Sequence, residues 1–148
     1  MADAGDAAPK GGTHVWPIRV YFEDTDAGGV VYYANYLKFA ERARTEMLRE
    51  AGYDHVRLAA EHGLSIVVRS CAIDFVAPGR LDDALEVRSR IVTMGGASFT
   101  IRQEIHRADV LLARAEIRLA CVDAGIRPAR LPAAVRRALE PHKSHKTI

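Results

Sequence analysis

Three carboxylates stand within four residues of one another near the start of the chain. Glu23, Asp24 and Asp26 are followed by the glycine pair Gly28 and Gly29. Carboxylates in enzymes act as nucleophiles or as general bases. The same residue types also hydrogen-bond the backbone in turns and favour the positive end of a following helix, so a purely structural role stays open. A calcium site is disfavoured because the spacing lacks the later ligands of an EF-hand loop.

A strand and a long helix are predicted on either side of this acidic loop. Before it, apolar and polar residues alternate over residues 16–23, which predicts a half-buried strand. After it, residues 34–51 are rich in helix formers and are followed by Gly52, a typical helix-terminating residue. One face of this helix is apolar and carries Tyr36, Ala40, Ala43, Met47 and Ala51. The acidic loop is therefore predicted to lie at a strand-to-helix junction.

The chain after this helix consists mainly of predicted strands. A short second helix is predicted over about 54–62. Apolar runs or alternation then predict strands within residues 65–76, 84–93, 97–105 and 111–121. Residues 132–139 form a short terminal helix or part of a tail. This order predicts an α+β fold in which one long helix packs on a curved antiparallel sheet of about five strands.

The junction between loop and helix has the chemistry of acyl transfer. Helix N-termini present unpaired N–H groups and a partial positive charge, which suit a developing oxyanion. If the helix begins near Tyr33 and Ala34, these donors and the carboxylates share one short loop. An Asp carboxyl, with a reference pKa of about 3.9, is ionised at neutral pH. A thioester suits such a weak nucleophile because a thiol leaves more readily than an alkoxide or an amide.

Composition restricts the class of protein. The 148 residues suffice for one domain with a real core; 49% are hydrophobic, 27% are charged, and the formal net charge is +2. This near-balance of charge argues against a nucleic-acid partner. Neither a signal peptide nor an apolar segment for membrane insertion is present, so a cytoplasmic location is expected. Cys71 and Cys121 lie in apolar runs and are expected to be buried and reduced.

The pattern also predicts one domain without a cofactor. Residues 1–13, rich in Ala and Gly, are expected to form a disordered leader, residues 14–140 a single domain, and residues 141–148 a flexible tail. The histidines show no paired-ligand spacing, so no metal is expected. No GxGxxG or GxSxG motif occurs in a suitable context, and no other cofactor is expected.

A close resemblance to a known family is carried by the loop and the helix that follows it. Residues 19–37 read RVYFEDTDAGGVVYYANYL and residues 39–46 read FAERARTE. Both stretches resemble the hotdog-fold acyl-CoA thioesterases of the Tol-Pal-associated and hydroxybenzoyl-CoA thioesterase type. The resemblance implies a sheet wrapped around one long helix and hydrolysis of an acyl-CoA to a free acid and CoA. It also implies homodimers paired through their sheets, often homotetramers, with sites at the dimer interface.

The resemblance further implies roles for individual residues. By the resemblance, Asp26 occupies the position of the family's catalytic carboxylate, and Tyr33 occupies the position whose backbone N–H polarises the thioester carbonyl. Asp24 is expected to shape the loop. Glu41 matches a catalytic acid of some related enzymes, although a structural ion pair with neighbouring arginines is expected here. Substrate contacts are expected from Gly28, Val30, Val31, Arg69, Ser98 and Arg130.

The chain departs from its relatives at two positions. Tol-Pal-type members usually carry His at the position of Tyr33, where the hydroxybenzoyl branch has Tyr. Residues 95–97 replace basic residues that hold CoA phosphates in some relatives, so phosphate contacts must come from other residues. The candidates are Arg69, Arg102, Arg127 and Arg130.

Two other functions stay open as hypotheses. One is a hotdog module that binds acyl-CoA or acyl carrier protein without hydrolysis, although such a module needs no carboxylate at Asp26. The other is a hydratase or dehydratase, which is disfavoured because those enzymes typically use a His and the loop contains none.

Overall fold

A five-stranded antiparallel sheet forms the frame of the protein. The computed structural model describes residues 12–143. The strands are β1 (His14–Arg19), β2 (Ser65–Phe75), β3 (Ala84–Met94), β4 (Ser98–Arg107) and β5 (Val110–Val122), and their order in the sheet is β1-β3-β4-β5-β2. The helices are α1 (Tyr33–Glu50), α2 (His55–His62) and α3 (Ala133–Leu139), with 3-10 turns at Phe22–Asp24 and Glu140–His142. The predicted α+β architecture with one long helix is confirmed.

Helix α1 packs its apolar face on the sheet. Its buried residues are Tyr36, Phe39, Ala40, Ala43, Met47 and Leu48. Full burial of a side chain such as Phe39 contributes about 1.5–3 kcal/mol. The helix ends at Glu50, and Gly52, two residues later, adopts the left-handed backbone conformation with φ +92°. The predicted helix and its apolar face are therefore correct to within a residue at each end.

The first strand is shorter than predicted. The alternation over 16–23 suggested a strand through Glu23, but β1 ends at Arg19. The chain instead turns at Phe22–Asp24, where the carboxylate of Asp24 accepts a hydrogen bond from the Tyr21 N–H at 2.8 Å. As a result, Phe22 is 80% exposed and does not join the core.

Strand β2 has an apolar face that α1 leaves partly uncovered. The residues on this face pair with buried residues of β5. A bulge between Val68 and Ser70 shifts the register by one residue, so the apolar residues on both sides of the bulge stay on the same face. We call this set the β2 apolar face; it comprises Ile66, Val68, Cys71, Ile73 and Phe75. Val68 is 50% exposed and Phe75 is 49% exposed. Cys121 is buried as expected, but the same expectation was wrong for Cys71, which is exposed because β2 lies at the sheet edge.

The two ends of the described chain meet. The His142 Nδ1 atom lies 2.8 Å from the carbonyl oxygen of Gly12, and the His142 ring packs edge-on against His14 with centroids 5.6 Å apart. Most of the predicted leader 1–13 and tail 141–148 lies outside the described residues. Among residues 12–143, no helix has the length and apolar character needed to cross a membrane.

Candidate active site

The acidic loop forms a tight turn around Asp26. The Asp26 N–H donates to the carbonyl of Val30 at 2.9 Å, and the Gly29 N–H donates to the carbonyl of Asp26 at 3.0 Å. The Oδ1 atom of Asp26 accepts a hydrogen bond from the Gly28 N–H at 2.8 Å. Gly29 has φ +80°, a backbone conformation that residues with a side chain rarely adopt. Asp26 is exposed, and its Oδ2 atom has no hydrogen-bond partner within residues 12–143, so this oxygen can reach a substrate.

Asp24 joins this loop to the start of α1. Its carboxylate is engaged by Tyr21, and its carbonyl oxygen accepts hydrogen bonds from the Tyr32 N–H at 2.9 Å and from Asn35 Nδ2 at 2.8 Å. Asp24 is also buried, unlike Asp26. These contacts confirm the expected structural role of Asp24, while the contribution of Asn35 was not predicted from the sequence.

The first turn of α1 is open to a ligand. The helix begins at Tyr33, and its N-cap residue, Tyr32, supplies no side-chain hydrogen bond. The Tyr33 amide donates to no acceptor within the described part of the chain. Unpaired N–H groups and the helix dipole together make this end suited to a negatively charged oxygen. The predicted helix start is thus correct, and it lies on the same short loop as Asp26.

A second set of contacts supports the loop from the far side. The hydroxyl oxygen of the buried Tyr36 accepts a hydrogen bond from the Gly79 N–H at 2.9 Å. The carbonyl of Gly79 accepts from the Val31 N–H at 2.8 Å, and Val30 forms a bridge with Arg80. Burial raises the pKa of Tyr36, so its hydroxyl stays neutral at physiological pH. Sequence reasoning missed this support because Tyr36 and Gly79 are 43 residues apart.

Aromatic rings extend the site from the helix start to β2. Tyr33 and Phe75 have ring centroids 5.9 Å apart, and Tyr36 and Phe75 are 5.7 Å apart. Both Tyr33 and Phe75 are exposed. An apolar surface therefore lies directly beside the open N–H groups of the helix.

The remaining predicted site residues lie at the two ends of the sheet, except Arg69, which lies in the middle of β2. We call the end that carries Asp26 and Tyr33 the loop end, and the end that carries the β3–β4 turn at Gly95 and Gly96 the hairpin end. Val30 and Gly28 lie at the loop end, as does Val31, whose side chain is buried in the core. These three residues lie within the acidic loop or directly after it.

Ser98 and Arg130 lie at the hairpin end. Ser98 begins β4, and a guanidinium nitrogen of Arg130 lies 3.0 Å from the position that a Cβ would occupy on Gly96. Since β3 has 11 residues, the two ends of the sheet are separated by roughly 30 Å. Arg69 is exposed at the bulge in the middle of β2. One copy of the chain therefore does not bring Ser98, Arg69 and Arg130 to Asp26.

Glu41 does not form the expected ion pair. It is exposed, and no cationic group of residues 12–143 forms a salt bridge with it. Arg44, one turn further along α1, instead donates a hydrogen bond to Gln103 Oε1 at 2.9 Å. The two side chains interact only electrostatically, with the charge of Glu41 raising the pKa of Arg44, because the guanidinium is hydrogen-bonded to Gln103 instead.

One long helix on a five-stranded antiparallel sheet, with a carboxylate loop at the helix start, defines a hotdog protein of the thioesterase class. A family model described as the thioesterase-like superfamily matches residues 20–139. The chain belongs to this superfamily, in agreement with the resemblance noted in its sequence.

Individual relatives cover nearly the same region. An Escherichia coli protein named acyl-CoA thioester hydrolase YbgC is 48% identical over 122 residues, which cover 81% of this chain and 90% of the relative. An acyl-CoA thioesterase from Haemophilus influenzae is 44% identical over 124 residues, covering 83% and 91%. A solved structure of a probable thioesterase from Bartonella henselae superimposes with a TM-score of 0.79 at 38% identity, covering 81% of this chain and 99% of that one.

Proposed function

We propose that this protein is an acyl-CoA thioester hydrolase in which Asp26 is the catalytic carboxylate and the Tyr33 amide binds the oxyanion. The proposal rests on one observation: a carboxylate oxygen of Asp26 without a hydrogen-bond partner in the described residues lies on the same short loop as the uncapped start of α1. The hydrogen bonds to Asp24 and Gly79 hold both groups in place. The names of the relatives support the same reaction.

Two routes lead from this arrangement to the products. In one, an oxygen of Asp26 bonds to the acyl carbon, the carbon–sulfur bond breaks, and CoA leaves as a thiolate that takes up a proton; water then cleaves the mixed anhydride. In the other, Asp26 removes a proton from a water molecule as that water attacks the acyl carbon; the carbon–sulfur bond then breaks, and the departing CoA thiolate takes up the proton held by Asp26. In both routes the negative charge on the carbonyl oxygen develops beside the Tyr33 N–H.

The exposed edge of β2 supports a homodimer. The strand has 11 residues, lies at the edge of the sheet, and presents the half-exposed β2 apolar face. A long apolar edge of this kind favours pairing with another strand. Two-fold pairing of β2 with its copy is antiparallel, so the Phe75 end of one strand would meet the Ser65 end of the other. Association of such dimers into a homotetramer stays a prediction.

Antiparallel pairing would also assemble the divided site. Ser65 pairs with Val122 and Ser98 with Ala120, so the start of β2 lies at the hairpin end. The hairpin end of one copy would then lie next to the loop end of the other. This arrangement supports a site at the dimer interface to which one copy contributes Asp26 and the other contributes Ser98 and Arg130.

The arginines at the hairpin end are suited to the phosphates of CoA. The β3–β4 turn itself carries no basic side chain, but Arg130 lies against Gly96, and Arg136 donates to the carbonyl of Gly95 at 2.6 Å. Two guanidinium groups near one turn supply forked donors of the type that binds phosphate. Within the proposal, Arg69 on β2 adds a third cation for the phosphates. The acyl group contacts Gly28, Val30 and the backbone of Val31. The protein is proposed to act in the cytoplasm.

A panel of acyl-CoA substrates tests the function. Release of free thiol from short, long and aromatic acyl-CoA is measured with the wild-type protein, and we expect turnover of at least one member. Saturable binding of acyl-CoA with no thiol release from any member would overturn hydrolysis in favour of a binding module. Label in the Asp26 carboxylate after a single turnover in oxygen-18 water would establish the anhydride route, because general-base catalysis leaves both Asp26 oxygens in place.

A further inference from the structure

A cavity lies between α1, the first half of β2 and the sheet. Its volume is about 280 Å³. Most of its wall is apolar and includes Leu48, Ile66, Val68, Phe99, Ile101 and Leu119. The volume falls just below the range of about 300–1,000 Å³ that is typical of pockets for drug-sized ligands. The cavity therefore suits a small group and not a whole CoA molecule.

One arginine, Arg44, forms part of this mainly apolar wall. Its guanidinium donates to Gln103 Oε1 at 2.9 Å. Gln103 is 1% exposed and is itself fixed, because its Nε2 donates to the carbonyl of Ala40 and to Ser89 Oγ, each at 2.9 Å. A side chain held by a buried and fully engaged partner is preorganised for a ligand. Gln103 thus sets the position of the Arg44 guanidinium.

The charge of Arg44 is not balanced by a close carboxylate. No carboxylate of residues 12–143 forms a salt bridge with it. Burial lowers the pKa of Arg44, and the negative charge of Glu41 partly opposes this shift, but an arginine stays charged under all physiological conditions. Glu41 also lines the cavity and interacts electrostatically with Arg44, but it is exposed and forms neither a hydrogen bond nor a salt bridge with the guanidinium. The other polar pair on the wall is Thr45 and His55, which lie 3.3 Å apart.

A half-buried guanidinium with unused donors favours one kind of ligand. Only one hydrogen bond to a neutral side chain engages the guanidinium within residues 12–143, so most of its five N–H groups remain available. A carboxylate matches the fork of these donors in a bidentate arrangement, whereas a methyl group would leave them desolvated and unpaired.

We propose that the cavity receives the distal end of the acyl group and that Arg44 selects acyl groups ending in a carboxylate. This inference rests on the proposed thioesterase function. Within an antiparallel β2 pair, the cavity lies beside the first half of β2 and so faces the loop end of the other copy. The thioester carbonyl would bind at Tyr33 of one copy while the acyl tail enters the cavity of the second.

The test compares two substrates of the same shape. Glutaryl-CoA ends in a carboxylate, and 5-methylhexanoyl-CoA ends in an isopropyl group of similar size. We expect wild-type kcat/KM to be about 10- to 100-fold higher for glutaryl-CoA, the range typical of a hydrogen-bonded charge pair. Arg44→Met should remove this preference by slowing glutaryl-CoA turnover while sparing the isopropyl substrate. Arg42→Met, an exposed neighbour on the same helix, is the matched control and should leave the ratio unchanged.

The outcomes separate this inference from the proposed function. A wild-type ratio of one or less, or an equal effect of Arg44→Met on both substrates, would overturn the inference while thioesterase activity stands. Absence of thiol release from every acyl-CoA in the panel would instead overturn the proposed function. Because the wild-type ratio needs no substitution, the test holds even if Arg44→Met fails to fold. In that case Arg44→Lys, which keeps the charge but loses the fork, should lower the ratio by several-fold.

Discussion

Replacing Tyr36 by Phe removes the hydroxyl oxygen that supports the acidic loop. In the wild type that oxygen accepts the hydrogen bond of the Gly79 N–H at 2.9 Å in a buried setting. A buried donor left without a partner costs about 1–3 kcal/mol. For a domain of this size, that loss lowers the melting temperature by about 3–10 °C.

The same substitution is expected to slow catalysis. Gly79 carries the carbonyl that accepts from Val31, and Val31 precedes the helix start by two residues. A shift of this segment displaces the Tyr33 amide relative to Asp26, and small displacements of this kind reduce rates by about 10-fold or more. We therefore expect Tyr36→Phe to lower kcat at 25 °C, where the protein is still folded.

Thermal unfolding and thiol release are measured side by side for Tyr36→Phe and for Tyr32→Phe. Tyr32 is exposed, and its hydroxyl forms no hydrogen bond with the described residues, so its loss should leave the melting temperature unchanged. If Tyr36→Phe melts within about 1 °C of the wild type and keeps its kcat, the Gly79 contact does not support the loop and the reasoning is refuted.

Three further predictions concern acid stability and the dimer. The hydrogen bond between Glu104 and His106, 2.9 Å, lowers the pKa of Glu104 below its ordinary value of 4.5, so its stabilisation is present above that pH and is lost as the pH falls through the lowered value. Urea denaturation between pH 5 and 3 should therefore show a smaller loss for Glu104→Gln than for the wild type, by less than about 1 kcal/mol because the pair is partly exposed; an equal loss would contradict this. Light scattering should give about 33 kDa for the homodimer, twice the 16.3 kDa of one chain, or about 65 kDa for the homotetramer; a monomer at micromolar concentration would contradict pairing through β2. When Asp26→Asn and Arg130→Ala are mixed, unfolded together and refolded, activity should return to about a quarter of wild type, because half of the dimers are then mixed and each mixed dimer holds one intact site. The absence of recovery would place both residues in a site formed by a single copy.

The local parts of this site could be predicted from the sequence because they depend on short-range patterns. The start of α1 at Tyr33 and the structural role of Asp24 follow from helix periodicity and turn chemistry. The exposures of Phe22 and Cys71 could not be predicted, because each depends on which element covers the strand.

Contacts between residues far apart in the sequence could not be predicted from local sequence patterns. Gln103 has the spacing of an inward-facing strand residue, yet its partners Ala40 and Arg44 come from a helix about 60 residues earlier. Nothing local to any of these residues indicates that a polar cluster lies beneath the helix. The cavity and its cation are visible only once α1 is placed on the sheet.

The most direct test of the account is the rate of thiol release by Asp26→Asn on the best acyl-CoA substrate. The amide oxygen of Asn can still accept the hydrogen bond from Gly28, so the loop and the melting temperature should be preserved. Asp109→Asn, at an exposed position in the β4–β5 turn, is the matched control and should keep wild-type activity. We predict that Asp26→Asn lowers kcat by about 10²- to 10⁴-fold. A folded Asp26→Asn protein with near-wild-type kcat would contradict the assignment of Asp26 as the catalytic carboxylate.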